Sequence, residues 1–271
     1  MNSNLKPVVK WAGGKRTILP FIKKYIPSFD LYVEPFIGGA SVLFDIMPQY
    51  AVINDLNAEL INMYNVIKYD VEPLISLLNE LQMKHTESTF YEIRNIDRDV
   101  ESYANMSNSF KAARLIYLNK TCFNGLYRVN KQGFFNVPYG KRETPTIYDE
   151  NNIRSISKFL NQNNVLIKHG DYKDVLNDVN INDKEIFVYL DPPYMNTYTG
   201  YTEKGFSYNN QIELRDYCNK LNENGIKFLQ SNIYCNEIKE LYADYKIETI
   251  NVRHMMNRAN ANEVLICNYD N

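Results

Sequence analysis

The chain has 271 residues, 45% apolar and 23% charged, the proportions of an ordinary folded globular protein, which set aside disordered, collagen-like and coiled-coil architectures. No run approaches the roughly 18 uninterrupted apolar residues a membrane-spanning helix needs, and no secretory stretch follows the first lysines, so the chain is expected in the cytoplasm with no membrane partner. The net charge of −2 is unevenly spread: residues 1–29 carry six Lys/Arg and residues 111–142 carry seven, neither with an Asp or Glu, leaving 17 basic against 32 acidic residues elsewhere.

In chain order, Leu31–Glu34 reads as a short buried strand that ends at a Pro-Phe-Ile-Gly-Gly turn. Ala40–Met47 follows as a helix, Tyr50–Asn54 as a second strand and Asn57–Lys68 as a second helix. The middle is different. Glu72–Gln82, Thr89–Asp97 and Phe110–Asn119 carry helical periodicity, and two β-like runs, Leu126–Val129 and Phe134–Val137, flank Asn-Lys-Gln-Gly as a hairpin. Alternation then resumes with strands at Val165–His169, Ile186–Leu190 and Lys227–Gln230 and helices at Gln211–Glu223 and Asn236–Tyr242. Lys246–Val252 and Glu263–Tyr269 have no clear helix between them and read as a closing pair with at least one antiparallel strand. The expected fold is α/β with a mixed, mostly parallel sheet. Residues 1–57 and 151–271 form its core, and an inserted, mainly helical module with a β-hairpin spans 58–150. The four cysteines (Cys122, Cys218, Cys235 and Cys267) show no Cys-x-x-Cys pair and no nearby His, so neither a disulfide framework nor a metal site is expected.

Ligands of an open α/β sheet bind outside the carboxyl ends of its strands, and two segments stand there. Phe36-Ile37-Gly38-Gly39-Ala40 follows the first strand, and Asp55 ends the second, 16 residues after Gly39, placed to accept hydrogen bonds from ribose hydroxyls. The plain alternatives are a tight turn and a helix cap, although Asn57 could cap that helix instead. The turn lacks the three-glycine dinucleotide fingerprint and no Lys-Ser/Thr follows it, which favours a nucleoside cofactor without a pyrophosphate. The second segment, Asp191-Pro192-Pro193-Tyr194, directly follows an apolar strand. Its prolines remove backbone donors and fix an extended turn, leaving the Pro192 carbonyl and the Asp191 carboxylate as acceptors beside a flat ring. That set suits a planar group bearing an NH2. The basic stretch 111–142 is interleaved with Tyr117, Phe123, Tyr127, Phe134, Phe135 and Tyr139, a pattern that suits phosphate contacts and insertion of a ring beside a displaced base; its plain alternative is a solvated face. His85, His169 and His254 are given no role.

Taken together, six motifs in order resemble the Dam-type DNA adenine-N6 methyltransferases: Lys10-Trp11-Ala12-Gly13-Gly14-Lys15, Glu34–Gly39, Asn54-Asp55, Asn124–Arg128, Phe135–Gly140 and Asp191–Tyr194. The resemblance covers nearly the whole chain. It implies a Rossmann-like methyltransferase core and S-adenosylmethionine, with no metal, held by Trp11, Ala12, Gly13, Lys15, Glu34, Phe36, Gly38, Gly39, Asp55 and Asp191, with Asp171 at the cofactor adenine. It implies catalysis by Asp191, Pro192, Pro193 and Tyr194. It also implies a monomer that contacts double-stranded DNA through Lys10, Lys120, Phe123, Asn124, Leu126, Arg128, Pro138 and Tyr139, with GATC or a site containing its GA step as target and Arg128 reading the guanine. Ala40 stands where a third glycine is usual and is expected in ordinary backbone, since glycine is needed only where φ is positive or the backbone touches a ligand. The segment between Tyr194 and Gly205 looks shorter than in several relatives.

Because an adenine amino group inside a duplex is out of reach, the base must be rotated out and stacked. Two acceptors would then aim its poorly nucleophilic nitrogen, by positioning and electrostatics, with no covalent enzyme intermediate. The rival readings are a methyltransferase for amino groups of RNA or protein and a DNA-binding homologue that has lost catalysis. Restriction, orphan and mobile-element roles stay open.

Overall fold

The computed structural model describes residues 5–194, 206–253 and 260–270, with backbone alone at 251–253 and 260–262. His254 and the segment 195–205 lie outside the described residues. The order of elements is α1 (Leu19–Ile22), β1 (Leu31–Glu34), α2 (Ser41–Ile46), β2 (Ala51–Asp55), α3 (Ala58–Tyr69), α4 (Val71–Met83), α5 (Glu87–Asn95), α6 (Val100–Asn105), α7 (Asn108–Thr121), α8 (Glu150–Gln162), β3 (Val165–His169), β4 (Ile186–Leu190), α9 (Tyr208–Glu223), β5 (Lys227–Ile233), α10 (Asn236–Leu241), β6 (Lys246–Arg253) and β7 (Asn260–Cys267).

Among the described residues the strands form one seven-stranded sheet in the order β3-β2-β1-β4-β5-β7-β6. β1 through β5 pair in parallel, and β7 runs antiparallel between β5 and β6. This is the mixed, mostly parallel Rossmann-like sheet expected from the sequence, its order reversing at β1 and β4. The two-residue period of a strand divides its side chains between two cores. Leu31, Val33, Val188, Leu190 and Phe228 face the layer of α9 and α10. Tyr32, Ile53, Phe187, Tyr189 and Leu229 face the other side, where their core runs without a break into Leu74, Leu78, Phe90 and Ile116 of the helical insertion. α3 packs on β2 and β3 as well as on α4, α7 and α8.

Two expectations need correction. Helices α1, α6 and α8 lie outside the predicted elements; α8 is capped by Asp149, whose carboxylate accepts the Asn152 N–H at 3.0 Å, and it buries Ile153, Ile156, Phe159 and Leu160 on one face. The two β-like runs of the insertion do turn back on each other, but only the isolated bridges Val129–Phe135 and Cys122–Tyr139 form in place of paired strands. Two backbone bonds cross between the runs, Asn130 N–H to the Phe134 carbonyl at 2.9 Å and Asn136 N–H to the Arg128 carbonyl at 3.0 Å, and side chains satisfy the outer edge of Phe135. Asp97 accepts the Phe135 N–H at 2.8 Å and Arg98 donates to the Phe135 carbonyl at 2.6 Å.

Candidate active site

Three segments far apart in sequence meet at the carboxyl ends of β1, β2 and β4. In the first, Phe36–Ala40 turns the chain from β1 into α2. Gly38 adopts φ +47°, and a Cβ there would lie 3.0 Å from Trp11 Cδ1, so glycine answers both to the left-handed backbone and to the close ring. Its carbonyl accepts the Tyr64 hydroxyl at 2.7 Å. Ala40 contradicts its expectation: it sits in the left-handed region at φ 59°, ψ 31°, a conformation that costs an L-residue about 1–2 kcal/mol. It is held there by an N–H bond to the Ile37 carbonyl at 2.8 Å and by its own carbonyl accepting the Phe44 N–H at 3.0 Å.

Asp55, at the end of β2, is not the cap of α3. Asn57 caps it, accepting the Leu60 N–H at 3.0 Å. The Asp55 carboxylate instead accepts the N–H of Gly38 at 3.0 Å and of Asn57 at 3.0 Å, which ties the glycine turn to the second strand. Burial raises its pKa, opposed by the backbone donors of Asn57, Gly38 and Leu56. Buried Asn54 beside it donates to the carbonyls of Pro35 at 3.0 Å and Gly170 at 2.9 Å, stitching the ends of β1 and β3 to β2. Asp171 then stands exposed just past β3, accepting the Lys173 N–H at 2.9 Å. Its neighbour Tyr172 lies with its ring 5.1 Å from that of Phe36. Glu34 points into the core, where the Tyr32 hydroxyl donates to it at 2.8 Å. Burial pushes its pKa well up, against the bonds from Tyr32 and the Leu43 backbone.

The third segment carries the densest charge. Lys15 is 3% exposed. Its Nζ donates to Asp191 Oδ1 at 2.8 Å, to the Tyr194 hydroxyl at 3.0 Å and to the Gly13 carbonyl at 2.8 Å. Lys15, expected at the cofactor, therefore reaches the Asp-Pro-Pro-Tyr turn. Burial works against its charge, but Asp191, Tyr189 and Glu263 hold it protonated, with a raised pKa. Burial raises the Asp191 pKa, with Lys15 and Ser231 pulling the other way. The Tyr194 phenol is pushed far up by burial and then by the charges of Asp191 and Glu263, so it stays neutral. Asp191 Oδ1 also accepts the Ser231 hydroxyl at 2.9 Å, itself fixed by Tyr189 at 3.1 Å. Its Oδ2 is left without a donor among the described residues. Likewise the Pro193 carbonyl accepts from Gln211 at 3.4 Å, whereas no described residue donates to that of Pro192. Among the described residues, one Asp191 oxygen and the Pro192 carbonyl thus have no donor, and Tyr194 shares its Lys15 partner with the other Asp191 oxygen.

Sequence reasoning missed Ser231, Tyr189, Glu263 and Gln211. The run Gln230-Ser231-Asn232, polar yet buried in β5, was a usable signal for the first; the others carried none.

On the insertion, α7 runs into a left-handed turn at Asn124 (φ 56°) and Gly125 (φ 67°). Phe123 is 53% and Leu126 46% exposed, and Lys10, Asn124, Arg128 and Pro138 also face outward. Half-buried Lys120 has its pKa lowered by burial and by the nearby charges of Lys10 and Arg16, so cations gather here. Arg128 Nε donates to Asn136 Oδ1 at 2.7 Å. Tyr139 is partly buried, its hydroxyl donating to the Arg142 carbonyl at 2.5 Å and its ring 5.3 Å from Phe90. His85 bridges the Tyr117 hydroxyl and the same carbonyl, and His169 contacts the Leu56 carbonyl at 3.2 Å. Among the described residues no group of His, Cys, Asp and Glu could hold a metal ion, and no helix is long and apolar enough to cross a membrane.

Residues 11–256 match the family described as D12 class N6 adenine-specific DNA methyltransferases. The chain is similar to a Type II methyltransferase of Lactococcus lactis subsp. cremoris, 40% identical over 99% of this chain and 97% of that one. It is also similar to a Type II methyltransferase of Methanocaldococcus jannaschii, 37% identical over 98% and 99%, and to a DNA adenine methylase of Salmonella typhi, 31% identical over 90% and 87%.

Proposed function

The chain belongs to the D12 class N6 adenine-specific DNA methyltransferases, and from that premise we propose that it methylates N6 of an adenine rotated out of duplex DNA, within GATC. The observation that carries this reading is the state of Asp191: Oδ1 is bound by Lys15 and Ser231, while among the described residues nothing donates to Oδ2 or to the Pro192 carbonyl. These two acceptors would take the two amino hydrogens and favour a pyramidal nitrogen, with the Tyr194 ring stacked on the base. Because Lys15 fixes one oxygen, the other is preorganised before substrate arrives, the arrangement in which electrostatic positioning contributes most.

Trp11, Phe36, Gly38, Asp55 and the exposed Asp171 fit a nucleoside cofactor: a ring lies against a glycine, a carboxylate is fixed by backbone donors, and the Phe36–Tyr172 ring pair stands beside Asp171. When bound, S-adenosylmethionine supplies an electrophilic methyl group on a sulfonium centre. Residues 58–150 serve as the target recognition unit, with Arg128 reading guanine bidentately through its O6 and N7, Phe123 and Leu126 facing the displaced base and Lys120 on a phosphate, joined by Lys10 from the core segment.

Offering tritiated cofactor with duplex DNA, RNA and protein tests the reading. Label is expected in duplex DNA; label in RNA or protein alone, or no transfer under single-turnover conditions, overturns it.

A further inference from the structure

Asn119, on the last turn of α7, is fully buried. Its Oδ1 accepts the Lys10 N–H at 2.7 Å, and its Nδ2 donates to the Lys10 carbonyl at 2.9 Å and to the Gly125 carbonyl at 3.0 Å. Both amide hydrogens and the amide oxygen are thus engaged by main chain from two other segments. One of these segments continues through Trp11 to Lys15 and the proposed cofactor site. The other is the turn that presents Arg128. Two further contacts cross the same joint: the Trp11 ring stacks on Tyr127 with centroids 5.0 Å apart and planes 30° apart, and the Lys10 stem lies so close to Gly125 that a Cβ there would meet its Cδ at 2.5 Å. Trp11 in turn lies against Gly38. A continuous packed path therefore runs from the glycine turn through Trp11 to the residue next to Arg128. A buried side chain with one donor and two acceptors against it holds a single orientation, since any rotation sets oxygen against oxygen.

We propose that Asn119 is a positioning residue that locks the cofactor segment to the base-reading turn, so that cofactor binding and base discrimination are energetically coupled across this joint. The inference rests on the function proposed above. Coupling of this kind is reciprocal: a cofactor that favours one arrangement of Lys10–Lys15 favours the matching arrangement of 124–128, and the correct duplex strengthens cofactor binding by the same factor.

The test compares wild type with Asn119→Asp, which keeps the size and the acceptor for Lys10 N–H but turns an oxygen toward both carbonyls. Two ratios are read: single-turnover rate on the preferred duplex over that on a duplex with the guanine replaced, and duplex affinity with S-adenosylhomocysteine over that without it. Both should fall about fivefold or more, the lower end of ordinary coupling, while cofactor affinity without DNA changes less than either ratio. A merely structural role would lower the amount of active enzyme and leave both ratios where they were; that result overturns the proposal. Should Asn119→Asp fail to fold, Tyr127→Leu, which removes the ring from Trp11 and spares the amide, carries the same expectation and the same refutation. A wild-type enzyme that methylates DNA but rejects no altered site also overturns the coupling, whereas one that methylates no DNA defeats the function beneath it.

Discussion

The sheet edge and the recognition turn handle polar groups in opposite ways. At the edge, Asp191, Lys15 and Asp55 are drawn into bonds between distant segments, so the charges that chemistry needs stand fixed before any ligand arrives. At the turn, the side chains proposed to read DNA face solvent, with Phe123 and Leu126 about half exposed, and the buried polar network lies behind them. There Asp97 pairs with Arg98 and, at 2.7 Å, with Arg114, while it also holds the Phe135 N–H. On the proposed function, rate would belong to the edge, discrimination to the exposed turn, and folding to the network beneath it.

The sharpest way to break this division is Asp97→Ala, which strands two arginines, one of them deeply buried. Stability should drop by about 3–5 kcal/mol, the usual consequence of removing one partner from a buried ion pair. Denaturant unfolding measures it, and a loss below about 1 kcal/mol, typical of surface pairs, would show that the network is not a frame. Next comes Asp191→Asn, expected to slow single-turnover transfer roughly 100-fold or more with DNA binding retained; near-normal rates would move the chemistry away from this edge. Asp55→Ala should weaken cofactor binding by about 1.5–3 kcal/mol, read by calorimetry, and an unchanged affinity in a folded protein would leave Asp55 as a brace for Gly38 alone.

The smallest effect is a pH dependence. Burial holds the Glu34 pKa well above its ordinary value of 4.5, so the native state binds this proton more tightly than the unfolded chain does. The stability it brings is complete below pH 4.5 and declines as pH rises toward the folded pKa. Glu34→Gln should flatten that decline. An identical pH profile of unfolding free energy in the variant would contradict it.

Most of the sheet was legible because β1, β2, β3 and β4 open as short apolar runs bounded by turns, and the glycine turn and Asp-Pro-Pro-Tyr stand at the edge proposed to take ligands. Other features left weaker traces. The alternation in Leu126–Val129 and Phe134–Val137 marks a hairpin that closes through one bridge and two backbone bonds, with Asp97 and Arg98 capping the outer edge of Phe135 where no third strand follows. α8 had readable apolar spacing and a cap at Asp149. The pairing of Lys15 with Asp191 had no local signal, since burial of a lysine is set by the fold that surrounds it, and Ala40 disguised its conformation because alanine seldom adopts positive φ.

The central claim, adenine methylation directed by the exposed turn, is tested most directly by mapping N6-methyladenine in the DNA of cells expressing wild type or Arg128→Ala. Wild type should mark adenines preceded by guanine within GATC, and Arg128→Ala should lose about 1–3 kcal/mol of discrimination at that base pair, spreading to altered sites. Methylation at adenines that lack a 5′ guanine in wild type, or a variant that rejects altered sites as strictly as wild type, would contradict it.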